Sequence, residues 1–192
     1  MKTFLLFGFF SICIAINAYS QIENPDARNL SKEERKELKK AKKEEEKRKR
    51  EEELKKFERY VETRAWVVEA HTVFGKRGQS YQMDPTINFV GVSGETTTIQ
   101  LSFNGILGWN GVGGITMDGK IGKYEYSNDG KAVILKMSAM GSRLGNVDIF
   151  LTISGNANGR ATLSGSWGER IVFQGKFVSL DESRVYKGAP SY

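Results

Sequence analysis

One cysteine and one histidine stand among 192 residues, and that scarcity removes most of the chemistry a site could carry. The cysteine, Cys13, falls inside an apolar N-terminal run that reads as the core of a signal peptide. A lipid-modified Cys13 does not fit its context. Phe10-Ser11-Ile12 puts a bulky side chain where a small one belongs, and cutting there would leave too short an apolar segment for export. The exported chain is then expected to hold no disulfide, no thiol nucleophile and no Cys/His zinc site. A Ser-His-Asp triad could draw only on His71. His71 stands two residues from Glu69 in a strand, and that spacing is what the polar face of an exposed strand supplies by default. No calcium loop of the Asp-x-Asp-x-Asp-Gly type occurs. The carboxylates Asp84, Asp118, Glu125, Asp129, Asp148 and Glu169 are scattered, and an acid/base pair would need two of them to converge in space. The expectation is no catalytic set, no metal and no cofactor: a non-enzyme.

Long hydrophobic runs are also missing. The apolar stretch Phe4 to Ile16 covers 13 residues, broken only by Gly8 and Ser11. A spanning helix needs about 20. Lys2 supplies a positive start, and Ala18-Tyr19-Ser20 puts small residues where a signal peptidase reads them, so cleavage is expected between Ser20 and Gln21. The protein is thus expected to be periplasmic or secreted, with no transmembrane span after cleavage.

Charge is abundant but local. From Lys32 to Arg59, 24 of 28 residues are charged, 14 basic and 10 acidic, so this stretch accounts for +4 of the chain's +6. Ser31 three residues before Glu34 is a capping-box pattern and marks the helix start. Glu44-Glu45-Glu46 precede Arg48-Lys49-Arg50 by four residues each, and Glu51 and Glu52 precede Lys55 and Lys56. Each such pair supports a helix by about 0.2 to 0.5 kcal/mol. Apolar residues are too sparse for a coiled-coil seam or a membrane-surface face, since Lys39 to Glu53 offers only Ala41. Interleaved glutamates cancel much of the basic field, and export argues against a nucleic-acid partner. The long charged helix therefore reads as a solvated spacer. Leu54, Phe57 and Val61, spaced by three and four, form the stripe expected to dock its last turns onto the domain C-terminal to it.

After Ala65 the period changes to two. Ile99, Leu101 and Phe103 alternate with polar residues. Val133, Leu135 and Met137, then Val147, Ile149, Leu151 and Ile153, then Ala161, Leu163 and Trp167, then Ile171, Phe173 and Phe177 likewise form alternating series. Such alternation marks half-buried antiparallel strands. Turn signals punctuate them at Val92-Ser93-Gly94-Glu95, Ser127-Asn128-Asp129-Gly130 and Asn156-Ala157-Asn158-Gly159. About eight or nine strands fit between Trp66 and Val178, with no helical pattern between them to make parallel crossovers. The fold class is mainly β, an antiparallel meander closing into a barrel or packing as a sandwich. The organisation is expected to be a signal peptide over 1–20, a flexible lead and charged helix over 21–62, a β-rich domain over 63–181 and a tail over 182–192. The glycine-rich stretch from Asn104 to Gly114 lacks both the Gly-Lys-Ser/Thr of a phosphate loop and the helix after it. It carries Ile106, Leu107 and Trp109, which either plug one end of the β domain or contact a ligand or partner.

The order of parts resembles an exported domain family of unknown function common in Bacteroidetes. The resemblance rests on the signal peptide, the Lys/Glu-rich segment Ser31 to Lys56, and a Phe/Trp-Val-x-Glu-Ala strand, here Trp66-Val67-Val68-Glu69-Ala70. A Gly-containing loop with Gln82, Gly113-Gly114 and a late Ala161-Thr162-Leu163 strand come after it in order. The resemblance implies an exported β-rich domain and brings no catalytic residues. The expected function is a non-enzymatic envelope protein that binds another envelope component. The alternatives are a barrel carrier of a small apolar ligand and, last, a carboxylate hydrolase. Sequencing the N-terminus of protein recovered from the producing cell should read Gln21 first; a chain beginning at Met1 would contradict the export reading.

Overall fold

A computed structural model describes residues 31–102, 114–142, 145–165 and 170–188. The chain divides into two units between Glu45 and Glu46. In the first, the described residues belong to the start of helix α1 (Lys32–Glu62) and are exposed throughout. The capping box forms as the sequence predicts. The Ser31 amide donates to Glu34 Oε2 at 2.8 Å, and the Glu34 amide donates to Ser31 Oγ at 3.3 Å. Hydrogen bonding from Ser31, its backbone amide first and then its side chain, holds the Glu34 carboxyl below its ordinary value.

The second unit is a closed barrel. Its strands are β1 (Ala65–Phe74), β2 (Ser80–Gln82), β3 (Phe89–Ser93), β4 (Thr96–Leu101), β5 (Ile115–Asn128), β6 (Ala132–Gly141), β7 (Gly145–Ser154), β8 (Asn158–Gly165) and β9 (Arg170–Ser179). Every pairing is antiparallel, and β3 to β9 succeed one another in a meander. β1 then closes the ring by pairing with β9 from Trp66↔Ser179 to Phe74↔Val172. Its other edge binds β3 in its first half and the short β2 in its second. Eight strands thus enclose the barrel, and β2 is a hairpin partner at its rim. The β1–β9 pairing decides in favour of the barrel over the sandwich.

Side chains fill the interior, as a ring of this size predicts. Val133, Leu135, Leu151, Ile153 and Ala161 are wholly inaccessible. The outward neighbours Lys136 and Arg160 are exposed. The turn before β8 departs from the sequence signal. The Asn158-Gly159 pair predicts positive φ at the glycine, yet the positive φ, 59°, falls on Ala157 and the turn comes two residues early. Gly159 instead faces inward in β8, where a Cβ would lie 3.2 Å from Val68 and 3.3 Å from Phe177. β1 carries a bulge between Ala70 and Thr72, leaving His71 without a β9 partner. Opposite it, Gly175 leaves no space for a Cβ against the Glu69 carbonyl.

The last turns of α1 stopper one end. Leu54, Phe57 and Val61 are buried, as their spacing predicts. The Phe57 ring stands edge-on to Phe177, with centroids 5.6 Å apart, and Phe177 meets Trp66 at 5.7 Å. Polar groups fix the angle. Trp66 Nε1 donates to the Tyr124 hydroxyl at 2.9 Å, and that hydroxyl donates to the Val61 carbonyl at 2.7 Å. Asn128 Nδ2 donates to Glu58 Oε2 at 2.9 Å. At the helix end, therefore, the interior is sealed by apolar packing and tied by a tyrosine bridge.

Burial pushes the Tyr124 phenol up from 10.0 to about 12. The neutral phenol is the form the fold holds, so its contribution is complete below pH 10 and is lost between pH 10 and 12. Tyr124→Phe should cost about 1 to 3 kcal/mol near neutral pH, by stranding Trp66 Nε1 and the Val61 carbonyl. In urea titrations the gap between wild type and this variant should shrink from pH 10 to 12. A gap that stays constant to pH 12 contradicts the bridge.

Candidate functional site

With one end closed by α1, the other end is where the described barrel has room. A cavity of 760 Å³ lies there, and its described lining is Val73, Gly75, Lys76, Arg77, Gln79, Tyr81, Met83, Leu101 and Ile171. These residues come from the end of β1, the β1–β2 hairpin, the end of β4 and the start of β9. From Trp66 to Val73 the strand advances roughly 23 Å at its usual rise, so the cavity lies a barrel length from the helix. Its size falls within the roughly 300 to 1,000 Å³ of small-molecule sites.

The hairpin positions the wall. Val73 pairs with Tyr81, so the two side chains share a face. Their outward neighbour Phe74 packs under the Arg160 guanidinium at 5.0 Å, and Arg160 Nη1 donates to Gln174 at 2.7 Å. The tip is a tight turn in which the Gly75 amide donates to the Gln79 carbonyl at 2.9 Å and the Gly78 amide donates to the Gly75 carbonyl at 3.0 Å. Gly78 takes φ +81°, which a β-carbon would oppose. Lys76 and Arg77 are thereby held at the rim. They are the only charged residues in the described lining, and neither forms an ion pair with another described residue.

A second, shallower depression of 260 Å³ lies on the outer face of β5 to β8, around half-exposed Phe150. Glu125 and Asp148 both line it. They do not form a facing pair: β6 runs between them, with Lys136 opposite Glu125 and Ser138 opposite Asp148. The other acids serve structure. Asp84 accepts from the Thr86 hydroxyl and amide, which hold its carboxyl below the ordinary value. Asp129 accepts from the Lys131 and Ala132 amides in its turn, with the same effect. Asp118 pairs with Lys187 at 2.8 Å. Glu69 accepts from Ser183 Oγ and the Arg184 amide, while His71 Nδ1 meets Thr72 Oγ1 at 2.9 Å. The Glu69 and His71 side chains thus have separate partners. Glu169, Ile106, Leu107 and Trp109 lie outside the described residues. Among the described residues no three metal-ligand side chains cluster, and no helix is long and apolar enough to cross a membrane.

The C-terminal residues 183–188 lie along the outer face of β1, β3, β4 and β5. Gln100, wholly buried, holds them with every polar valence used. Its amide nitrogen donates to the carbonyls of Ile87 and Tyr186, and its oxygen accepts from Thr116 Oγ1 and the Gly188 amide.

The family model described as a domain of unknown function (DUF4251) matches residues 48–177. The chain belongs to that family. The DUF4251 match begins within α1 and ends in β9, so it takes in both the helical stopper and the strand that closes the ring. A crystal structure of a DUF4251 family protein from Bacteroides eggerthii is similar at 27% identity and a TM-score of 0.56. The match covers 68% of this chain and 90% of that one. No curated protein matches. The Bacteroidetes resemblance read from the order of parts is thus borne out. Neither the DUF4251 description nor the solved relative's name states an enzymatic activity.

Proposed function

We propose that this protein is an exported, non-enzymatic binding domain that takes a small, mainly apolar molecule into the cavity at the end of its barrel away from α1. The observation that carries this reading is the 760 Å³ cavity walled by Val73, Tyr81, Met83, Leu101 and Ile171. The middle of the barrel offers no room, because its side chains are packed to exclusion of solvent. A carrier of this shape holds its ligand at one end, not through its axis. Partner binding in the envelope has its best footing on the outer depression around Phe150, but at 260 Å³ against 760 Å³ the mouth is the larger of the two. The apolar stretch before Ala18-Tyr19-Ser20 supports export, and the dispersal of the acids among turns, ladders and the C-terminal segment supports a role without catalysis.

Titration with the neutral dye N-phenyl-1-naphthylamine tests the site. Wild-type protein should give saturable fluorescence at one dye per chain. Met83→Trp and Leu101→Trp, which fill the mouth, should each weaken uptake about tenfold, as expected from losing roughly 1.4 kcal/mol of apolar contact. Circular dichroism should stay that of the wild type. No saturable uptake, or uptake unchanged in both folded variants, overturns the proposal.

A further inference from the structure

We infer that the mouth selects a monomeric amphipathic anion: a single aliphatic chain carrying a carboxylate or phosphate. This rests on the mouth being a ligand site, and it adds what the rim contributes to selectivity. The geometry divides the site into two chemistries. The wall of Val73, Met83, Leu101 and Ile171 supplies surface for hydrocarbon and no charge. The hairpin tip supplies two adjacent cations, Lys76 and Arg77, and no described lining residue carries the opposite sign.

Lys187 has Asp118, Lys56 has Glu182, and Arg160 has Gln174 and the Phe74 ring. Lys76 and Arg77 have no ion-pair partner among the described residues, yet the turn that carries them is pinned by two backbone hydrogen bonds and by Gly78. A fixed turn presenting two cations that have no ion-pair partner among the described residues, beside an apolar wall, is complementary to a head group joined to a chain. Arg77 can offer paired donors to an oxyanion, and Lys76 a compact charge beside it. Tyr81, half exposed, lies on the same wall. A neutral chain of equal length would fill the wall and leave the cations to water. Exposure weakens the charge contribution, and a head-group hydrogen bond to a cation still favours the anion by about tenfold.

The test compares dodecanoate, dodecyl phosphate and dodecanol as displacers of N-phenyl-1-naphthylamine from the full exported chain at pH 7.5 and 50 mM salt. The two anions should displace the dye about tenfold more tightly than dodecanol. The double variant Lys76→Gln/Arg77→Gln should lose that preference while binding dye and dodecanol as the wild type does. Raising salt should shrink the preference in wild type alone. Equal displacement by dodecanol and dodecanoate overturns the inference and leaves the mouth site standing. Failure of all three, with no dye uptake, overturns both. Cosedimentation with phosphatidylglycerol vesicles that excess dodecanoate does not reverse assigns the cations to a bilayer surface and overturns a monomeric ligand.

Discussion

The ladder between β1 and β9 is the constraint on which the rest of the structure depends. It joins residues about a hundred positions apart, from Trp66↔Ser179 to Phe74↔Val172. Without it the meander would be an open sheet with two long free edges, which proteins otherwise cover or blunt. With it there is one interior, and the alternating residues of eight strands converge on it. The bulge at His71 and the missing side chain at Gly175 let the two strands approach where the ring bends. The seam also brings Trp66 and Phe177 side by side, and they form the seat for Phe57 of the helix. Closure therefore creates both the core and the place where the stopper fits.

A closed barrel has two ends, and this chain treats them differently. At one, Leu54, Phe57 and Val61 complete the core and Tyr124 bridges strand to helix. At the other, the β1–β2 hairpin stands beside a cavity and carries cations on its tip. A filled barrel has no axial chamber, so its cavity lies where packing stops. The DUF4251 match, running from residue 48 to 177, spans this whole arrangement from stopper to seam.

Much of the fold was legible because local patterns and tertiary structure agree. Ser31 and Glu34 cap the helix as their spacing implies, and Leu54, Phe57 and Val61 dock as a stripe. Val133 to Met137 and Val147 to Ile153 point inward by simple alternation. What was not legible depends on distant partners. Nothing local to Trp66 or Phe177 names the other as a neighbour. The Asn158-Gly159 pair signals a turn, yet packing against Val68 and Phe177 requires the glycine inside and moves the turn to Ala157. Gln100 reads as the polar half of an alternating strand, and only the C-terminal residues lying over it explain its burial. The mouth was hidden for a similar reason. Lys76 and Arg77 read as ordinary loop residues until register places Val73 and Tyr81 on one face and Leu101 and Ile171 beside them.

Residue-resolved hydrogen exchange across the β1–β9 seam tests closure most directly. If the ring is closed, seam amides such as those of Val68, Phe173 and Phe177 exchange only through global unfolding, as slowly as the central amides of β6 and β7. Seam amides that exchange orders of magnitude faster, while β6 and β7 remain protected, would show an open sheet and contradict this account.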